Sequence, residues 1–166
     1  YVVNPLFFPG GDIGSLSVSG TINDLAMMGA TPKYLSLGLI IEEGFPLSDL
    51  DTIVESIALE ARSSGVQVVT GDTKVVDKGH GDGLYVNTAG IGVIEHDQVI
   101  TPAQIAPGDK IILSGDIGRH GVCILSQREG LDFTSDLVSD VACVHEPVLA
   151  LIAEGIPLHC MRDLTR

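Results

Sequence analysis

The chain has 166 residues, of which 45% are hydrophobic and only 4% aromatic, and its net charge is −13. That apolar content excludes a disordered chain, and the acidic balance excludes a nucleic-acid binder, which needs clustered Lys and Arg. No apolar run approaches the ~20 residues of a membrane-spanning helix. Cys123, Cys143 and Cys160 are odd in number, widely spaced and without zinc-ligand spacing, so reduced thiols of a cytoplasmic protein are expected.

Val2 to Phe8 reads as a strand ended by Pro9-Gly10-Gly11. A helix is predicted from Gly14 to Met28, with Val18, Ile22, Leu25 and Gly29 as its core stripe and Ser15, Ser19 and Asn23 as a polar line. Tyr34 to Ile41 reads as a buried strand closed by Glu42-Glu43-Gly44. The clearest helix follows: Ser48 is its expected N-cap, Leu50, Ile53, Ile57 and Ala61 face the core, and Gly65 stops it. Val66 to Thr70 is predicted as a strand that delivers Gly71-Asp72 at its end.

Lys78 to Gly83 reads as a flexible loop. Leu84 to Ile94 is a glycine-interrupted strand in which a bend or bulge is expected. Thr101 to Gly108 reads as a linker. Beyond it come a strand over Asp109 to Ser114, a glycine-rich turn, helices over Gly121 to Arg128 and Ala142 to Glu154 (interrupted at Pro147), and the start of a strand at Ile156. The alternation specifies an α/β or α+β fold with a mixed sheet. It is not a doubly wound dinucleotide fold, because no Gly-x-Gly-x-x-Gly follows the first strand. Both ends read as cut, and the sequence is expected to be a piece of a longer polypeptide.

Asp24 and Asp72 are the carboxylates that ask for an explanation. Each lies among small and apolar residues, where an unpaired charge is unfavourable. A hard cation such as Mg²⁺, shared with nucleotide phosphate, would pair with them. Asn23 adds an amide oxygen, Thr73 a hydroxyl, and Lys74 a point charge for phosphate. The alternatives are a capping Asn23 beside a solvated Asp24, and a type I turn at Gly71-Asp72-Thr73. Gly115 to Gly121 is either a phosphate loop or a plain tight turn. His80 and Asp82 read as loop residues, Glu42 and Glu43 as a solvated strand end, and Arg162, Asp163 and Arg166 as a weak anion site. No Ser-His-Asp order, nucleophile elbow or His-Glu-x-x-His is present.

Four segments taken together carry a resemblance: Asn4-Pro5-Leu6-Phe7-Phe8-Pro9-Gly10-Gly11-Asp12-Ile13-Gly14, Asn23-Asp24 through Pro32, Gly71-Asp72-Thr73-Lys74-Val75-Val76, and Ser114-Gly115-Asp116-Ile117-Gly118-Arg119-His120-Gly121. They resemble the HypE family of hydrogenase maturation proteins, within the superfamily of aminoimidazole ribonucleotide synthetase, selenophosphate synthetase and thiamine-monophosphate kinase. The resemblance implies an ATP-binding and dimerisation domain over residues 1–97, a linker over 98–107 and a partial C-terminal domain over 108–166. It implies ATP and Mg²⁺ as cofactors, with Asn23, Asp24 and Asp72 at the metal, Gly71 and Thr73 at the nucleotide and Lys74 on phosphate. It implies dehydration of a carbamoylated C-terminal cysteine to a thiocyanate, the source of cyanide ligands for [NiFe] hydrogenase. The partners implied are a second copy, the carbamoyltransferase HypF and the HypC–HypD scaffold.

Three departures stand out. The Asp-Ser pair that precedes the first strand in the family is absent. Leu164 stands at the variable position of a truncated Arg-Asp-x-Thr-Arg motif. The terminal carrier cysteine is missing, and none of the three cysteines takes its place. By itself this stretch is therefore expected not to complete catalysis, and a thiamine-monophosphate kinase-like activity or a non-catalytic dimerising role stay open as alternatives.

Overall fold

The computed structural model describes residues 1–130 and 137–165. The expected α/β architecture with a mixed sheet is present. Strand β1 (Phe7–Phe8) and strand β2 (Gly11–Asp12) form a small antiparallel hairpin across Pro9 and Gly10. The first strand is thus much shorter than expected. Tyr1 instead exchanges backbone hydrogen bonds with Val86, its N-terminal amine donating at 2.5 Å and its carbonyl accepting at 3.0 Å.

Helix α1 (Ile13–Met27) starts where Asp12 turns the chain. The Asp12 Oδ1 accepts from the amides of Gly14 at 2.6 Å and Ser15 at 3.0 Å, while Ser15 Oγ accepts from the Asp12 amide at 3.0 Å. This reciprocal pairing satisfies donors that a helix N-terminus leaves without intrahelical partners. Of the expected stripe, Val18 and Ile22 are fully buried and Leu25 is half-buried.

Strand β3 (Thr31–Glu42) is the centre of a three-stranded sheet. Strand β4 (Gln67–Val76) runs parallel to it on one side, and strand β5 (Leu84–Val93) antiparallel on the other. Between β3 and β4 runs helix α2 (Leu47–Ser63). It begins one residue before Ser48, whose hydroxyl turns to Asp49 instead of capping the helix. Helices α1 and α2 cover one face of the sheet. Their Ile13, Val18, Ile22, Ile53, Ile57 and Ala61 join Leu35, Leu39, Ile41, Leu84 and Val86 in one core.

One correction concerns the sheet. β4 does not stop at Thr70 but continues through Gly71-Asp72-Thr73-Lys74 to Val76, because the long β3 keeps offering it hydrogen-bonding partners as far as Glu42. The irregularity expected at the glycines of β5 is present, since its register with β3 shifts between Pro32 and Tyr34, opposite Gly92 and Ile91. A Cβ at Gly90 would meet Leu25 Cδ1 at 2.7 Å, and one at Gly92 would meet Ala30 Cβ at 2.9 Å. They let α1 and the turn after it press onto the sheet.

In the second half, Pro102–Gln104 forms a 3₁₀ turn. Helix α3 spans Arg119–Glu129 and helix α4 spans His145–Ala153. Pro147 lies in the first turn of α4, where no amide is needed, so it does not interrupt the helix. Residues 109–114 and 156–161 are not strands, and Ile111 and Ile112 are 92% and 87% exposed. No helix among the described residues is long and apolar enough to cross a membrane.

The capping carboxylate of α1 gives a direct test. Asp12→Ala is expected to lower unfolding free energy by about 1 kcal/mol, measured by urea denaturation followed by circular dichroism.

Candidate functional site

Asn23 and Asp24 lie in the last two turns of α1, which the capping box starts and β5 holds in place. Thr21 Oγ1 meets Thr88 Oγ1 at 2.6 Å, and the Thr88 hydroxyl donates to the Ser17 carbonyl at 3.1 Å. The Tyr1 ring lies over Gly20, where any Cβ would strike the phenol oxygen. Gly20 therefore seats Tyr1.

Asp24 is exposed at the rim of this arrangement. Partial burial and then the negative charge of Asp163 raise its pKa above the usual carboxylate value. The Tyr1 phenol is raised chiefly by burial, with Asp24 and Asp163 adding to the effect. Asp24, Asp163 and Tyr1 are thus neighbours. Neither carboxylate is paired with a Lys or Arg among the described residues. Arg166, expected to share an anion site with Arg162 and Asp163, lies outside the described residues.

Asn23 is half-buried, and both ends of its amide are bonded. Its Nδ2 donates to the Ala142 carbonyl at 2.9 Å, and its Oδ1 accepts from the Val144 amide at 2.8 Å.

Asp72 and Lys74 are in the middle of β4, not beyond its end. Register pairs Asp72 with Gly38 and Thr73 with Leu39. Leu39 belongs to the core under the helices. Alternation therefore places Gly71 and Thr73 on the helix-covered face and Asp72 and Lys74 on the opposite, open face. Asp72 Oδ1 accepts from the Thr73 amide at 2.9 Å. Gly71 is required by packing, since a Cβ there would collide with the Leu37 carbonyl. An open groove of about 530 Å³ runs along this edge, lined by Leu37, Leu39 and the stretch from Val68 to Thr73.

The expected convergence of Asp24 with Asp72 is not found within one chain. Asp163, and not Asp72, is the carboxylate that perturbs Asp24. No group of three or more His, Cys, Asp or Glu among the described residues is placed to hold a metal ion. The donor chemistry nevertheless suits a hard cation. Asp24 and Asp72 are exposed oxygen donors, and the uncompensated charge around Asp24 favours a positive partner.

Sequence reasoning missed Glu42. Its carboxylate accepts from the Gly79 amide at 2.5 Å and the Gly83 amide at 3.1 Å, which lowers its pKa and closes the 77–83 loop. Asp82 of that loop bonds the Tyr85 hydroxyl. The 115–121 turn has no ligand-facing feature beyond the exposed Asp116–Arg119 pair, 2.8 Å apart. His120 faces inward, bonded to Ser139 Oγ at 2.9 Å and edge-on to Phe8, and burial lowers its pKa.

Residues 1–94 match the family described as AIR synthase related protein, N-terminal domain, and residues 106–166 the corresponding C-terminal domain. The chain is 57% identical over 166 residues to the carbamoyl dehydratase HypE of Azotobacter vinelandii, covering 100% of this chain and 49% of that protein. It superposes on the crystal structure of hydrogenase maturation protein HypE in complex with ATP with a TM-score of 0.97 and 49% identity, covering 100% of this chain and 50% of that one. Against a crystal structure of a HypE–HypF complex the TM-score is 0.95 at 47% identity, covering 98% of this chain and 53% of that one. The chain spans about half the length of the curated relatives it matches.

The perturbed carboxylate makes a signed prediction. A carboxyl whose folded pKa is raised stabilises the fold below its ordinary pKa of about 4, and that stability is lost as pH rises through the folded value. Asp24→Asn, which removes the repulsion with Asp163, is expected to raise Tm at neutral pH. The gain should vanish below pH ~4, as read from melting curves across the pH range.

Proposed function

The chain belongs to the AIR synthase related family, and from that membership we propose that it forms part of an ATP-dependent carbamoyl dehydratase of hydrogenase maturation. The observation that carries this proposal is the likeness, over its whole length and at 49% identity, to a HypE that binds ATP. Residues 1–97 would be the nucleotide-binding and dimerising domain, 98–107 a linker and 108–166 the start of the C-terminal domain. The full-length protein would work in the cytoplasm.

The substrate would be a carbamoyl group on a protein cysteine. Its oxygen attacks the γ-phosphorus of ATP, the bond to the bridging oxygen breaks, and ADP leaves. Loss of phosphate from carbon and of the remaining protons from nitrogen then yields the thiocyanate. Lys74 would face the transferred phosphoryl group, with Asp72 beside it and Gly71 and Thr73 bordering the nucleotide. Mg²⁺, held by Asp24 and Asp72, would offset negative charge on the phosphates. Asn23, assigned to metal and nucleotide by the resemblance, already has its amide engaged.

A second copy of the chain would complete this site. β4 is an edge strand, exposed along nearly its whole length. The open face of the sheet carries Tyr34, Ile40 and Ile91 at 45%, 43% and 65% exposure alongside Asp72 and Lys74. An unpaired edge and an uncovered apolar face together favour association. HypF would supply the carbamoyl group, as a HypE–HypF complex suggests, and HypC–HypD would accept the cyanide.

Two measurements test this. In the full-length, S-carbamoylated protein, Asp72→Asn is expected to cut ATP turnover about a hundredfold, and unchanged turnover would sink the site assignment. Ile91→Asp is expected to convert a dimer to monomer in multi-angle light scattering, and a persistent dimer would place the interface elsewhere.

A further inference from the structure

The segment from Val138 to Val144 crosses from the C-terminal half of the chain onto the N-terminal half and is held at several points. The Ser139 amide donates to the Pro9 carbonyl at 2.8 Å. Gly10 and Gly11 make room for it, since a Cβ on either would lie 2.5 Å from Val138 Cγ1 or 2.8 Å from Val141 Cγ1. The Cys143 thiol donates to Glu60 Oε1 at 3.1 Å and accepts from Ser64 Oγ at 3.1 Å. Ser19 of α1 donates to that same Glu60 oxygen at 2.9 Å.

The last fastening is Asn23. Its amide offers an acceptor and a donor side by side, and the chain opposite presents the Val144 N–H and the Ala142 C=O in matching order. The orientation of the amide follows, because reversing it would set donor against donor and acceptor against acceptor. One side chain thus does for the segment what a neighbouring strand would do. Immediately beyond it, α4 begins at His145 and packs on α1.

We propose that Asn23 is a positioning residue whose amide clamps the Ala142–Val144 backbone, and with it α4, against α1 beside Asp24, and that it does not ligate metal or nucleotide. The proposal takes the nucleotide site from the function argued above, but the clamp can be tested without nucleotide.

The test uses full-length protein with Asn23→Asp and Asn23→Ala. Backbone hydrogen exchange is followed at Val144, with Ile57 in the core as the reference for global opening, and Mg²⁺-dependent ATP binding by isothermal titration. Asn23→Asp keeps the shape of the side chain but turns a carboxylate oxygen toward the Ala142 carbonyl. The expected result is exchange at Val144 faster by about tenfold in Asn23→Ala, the scale of one lost hydrogen bond, with Ile57 unchanged. Asn23→Asp should also fail to tighten Mg²⁺ binding. Three results would overturn the clamp: unchanged Val144 exchange in Asn23→Ala, an equal rise at Ile57, or tighter Mg²⁺ binding in Asn23→Asp, as a metal ligand would give. Absence of Mg·ATP binding in the unmutated protein would remove the proposed function, while the exchange pattern would still decide the clamp.

Discussion

Helix α1 is locked to the sheet by two devices that act together. Strand β5 offers glycine where α1 and the turn after it come closest, Gly90 under Leu25 and Gly92 under Ala30. It offers a hydroxyl, Thr88, where the helix can be bonded through Ser17 and Thr21. Close packing makes such a contact intolerant of even one added methyl, and the paired hydroxyls fix the helix against sliding. The positions of Asn23 and Asp24 follow from this contact, and so does the seat for the C-terminal segment that Asn23 holds.

The sheet divides the candidate residues. With helices on one face only, parity decides where each residue of β4 points, and Asp72 and Lys74 share the face the helices leave open. An antiparallel sheet face can stand in water when it is polar. Here the bare face also carries Ile40 and Ile91, and among the described residues the parallel edge beside it is unpaired. A fold that exposes its charged candidates next to apolar surface is suited to a site finished by association, which is the arrangement the proposed dimer would use.

The elements were legible where a single physical preference decided them. The apolar stripes of α2 and α1 stand as read, because burial alone sets their periodicity; β3, read as wholly buried, instead leaves Tyr34 and Ile40 exposed on the face without helices. The errors arose where two preferences competed. Gly71-Asp72-Thr73 has turn chemistry, but a long neighbouring strand offered a continuous ladder and the ladder prevailed. The glycines of β5 do two things at once: the register shifts beside Gly92, and α1 with its following turn packs onto them. Asp12 was legible in principle, as an acid just before a helix with Ser15 three residues on. Glu42 was not, since its partners Gly79 and Gly83 are backbone amides of a distant loop. The candidate residues themselves could be named from sequence. Their relation could not, because it depends on strand parity beyond Gly71 and on surfaces that one chain leaves uncovered.

Charge sets the terms on which the proposed site can bind its ligand. The chain carries 22 acidic residues against 9 Lys and Arg, and burial together with the charge of Asp163 already raises the cost of ionising Asp24. A bare triphosphate approaching such a surface is repelled, and Lys74 alone supplies too little positive charge to reverse the sign. On the proposed function, the same carboxylates would attract the metal complex of a nucleotide, because the cation would meet them first and its phosphates could then face Lys74. Repulsion between like charges within a few ångströms is stronger in a partly desolvated cleft than in water, so assembly of the cleft would sharpen this discrimination. On the proposed function, the acidic surplus is therefore part of selectivity: it favours metal-bound nucleotide over free nucleotide before any residue contacts the base.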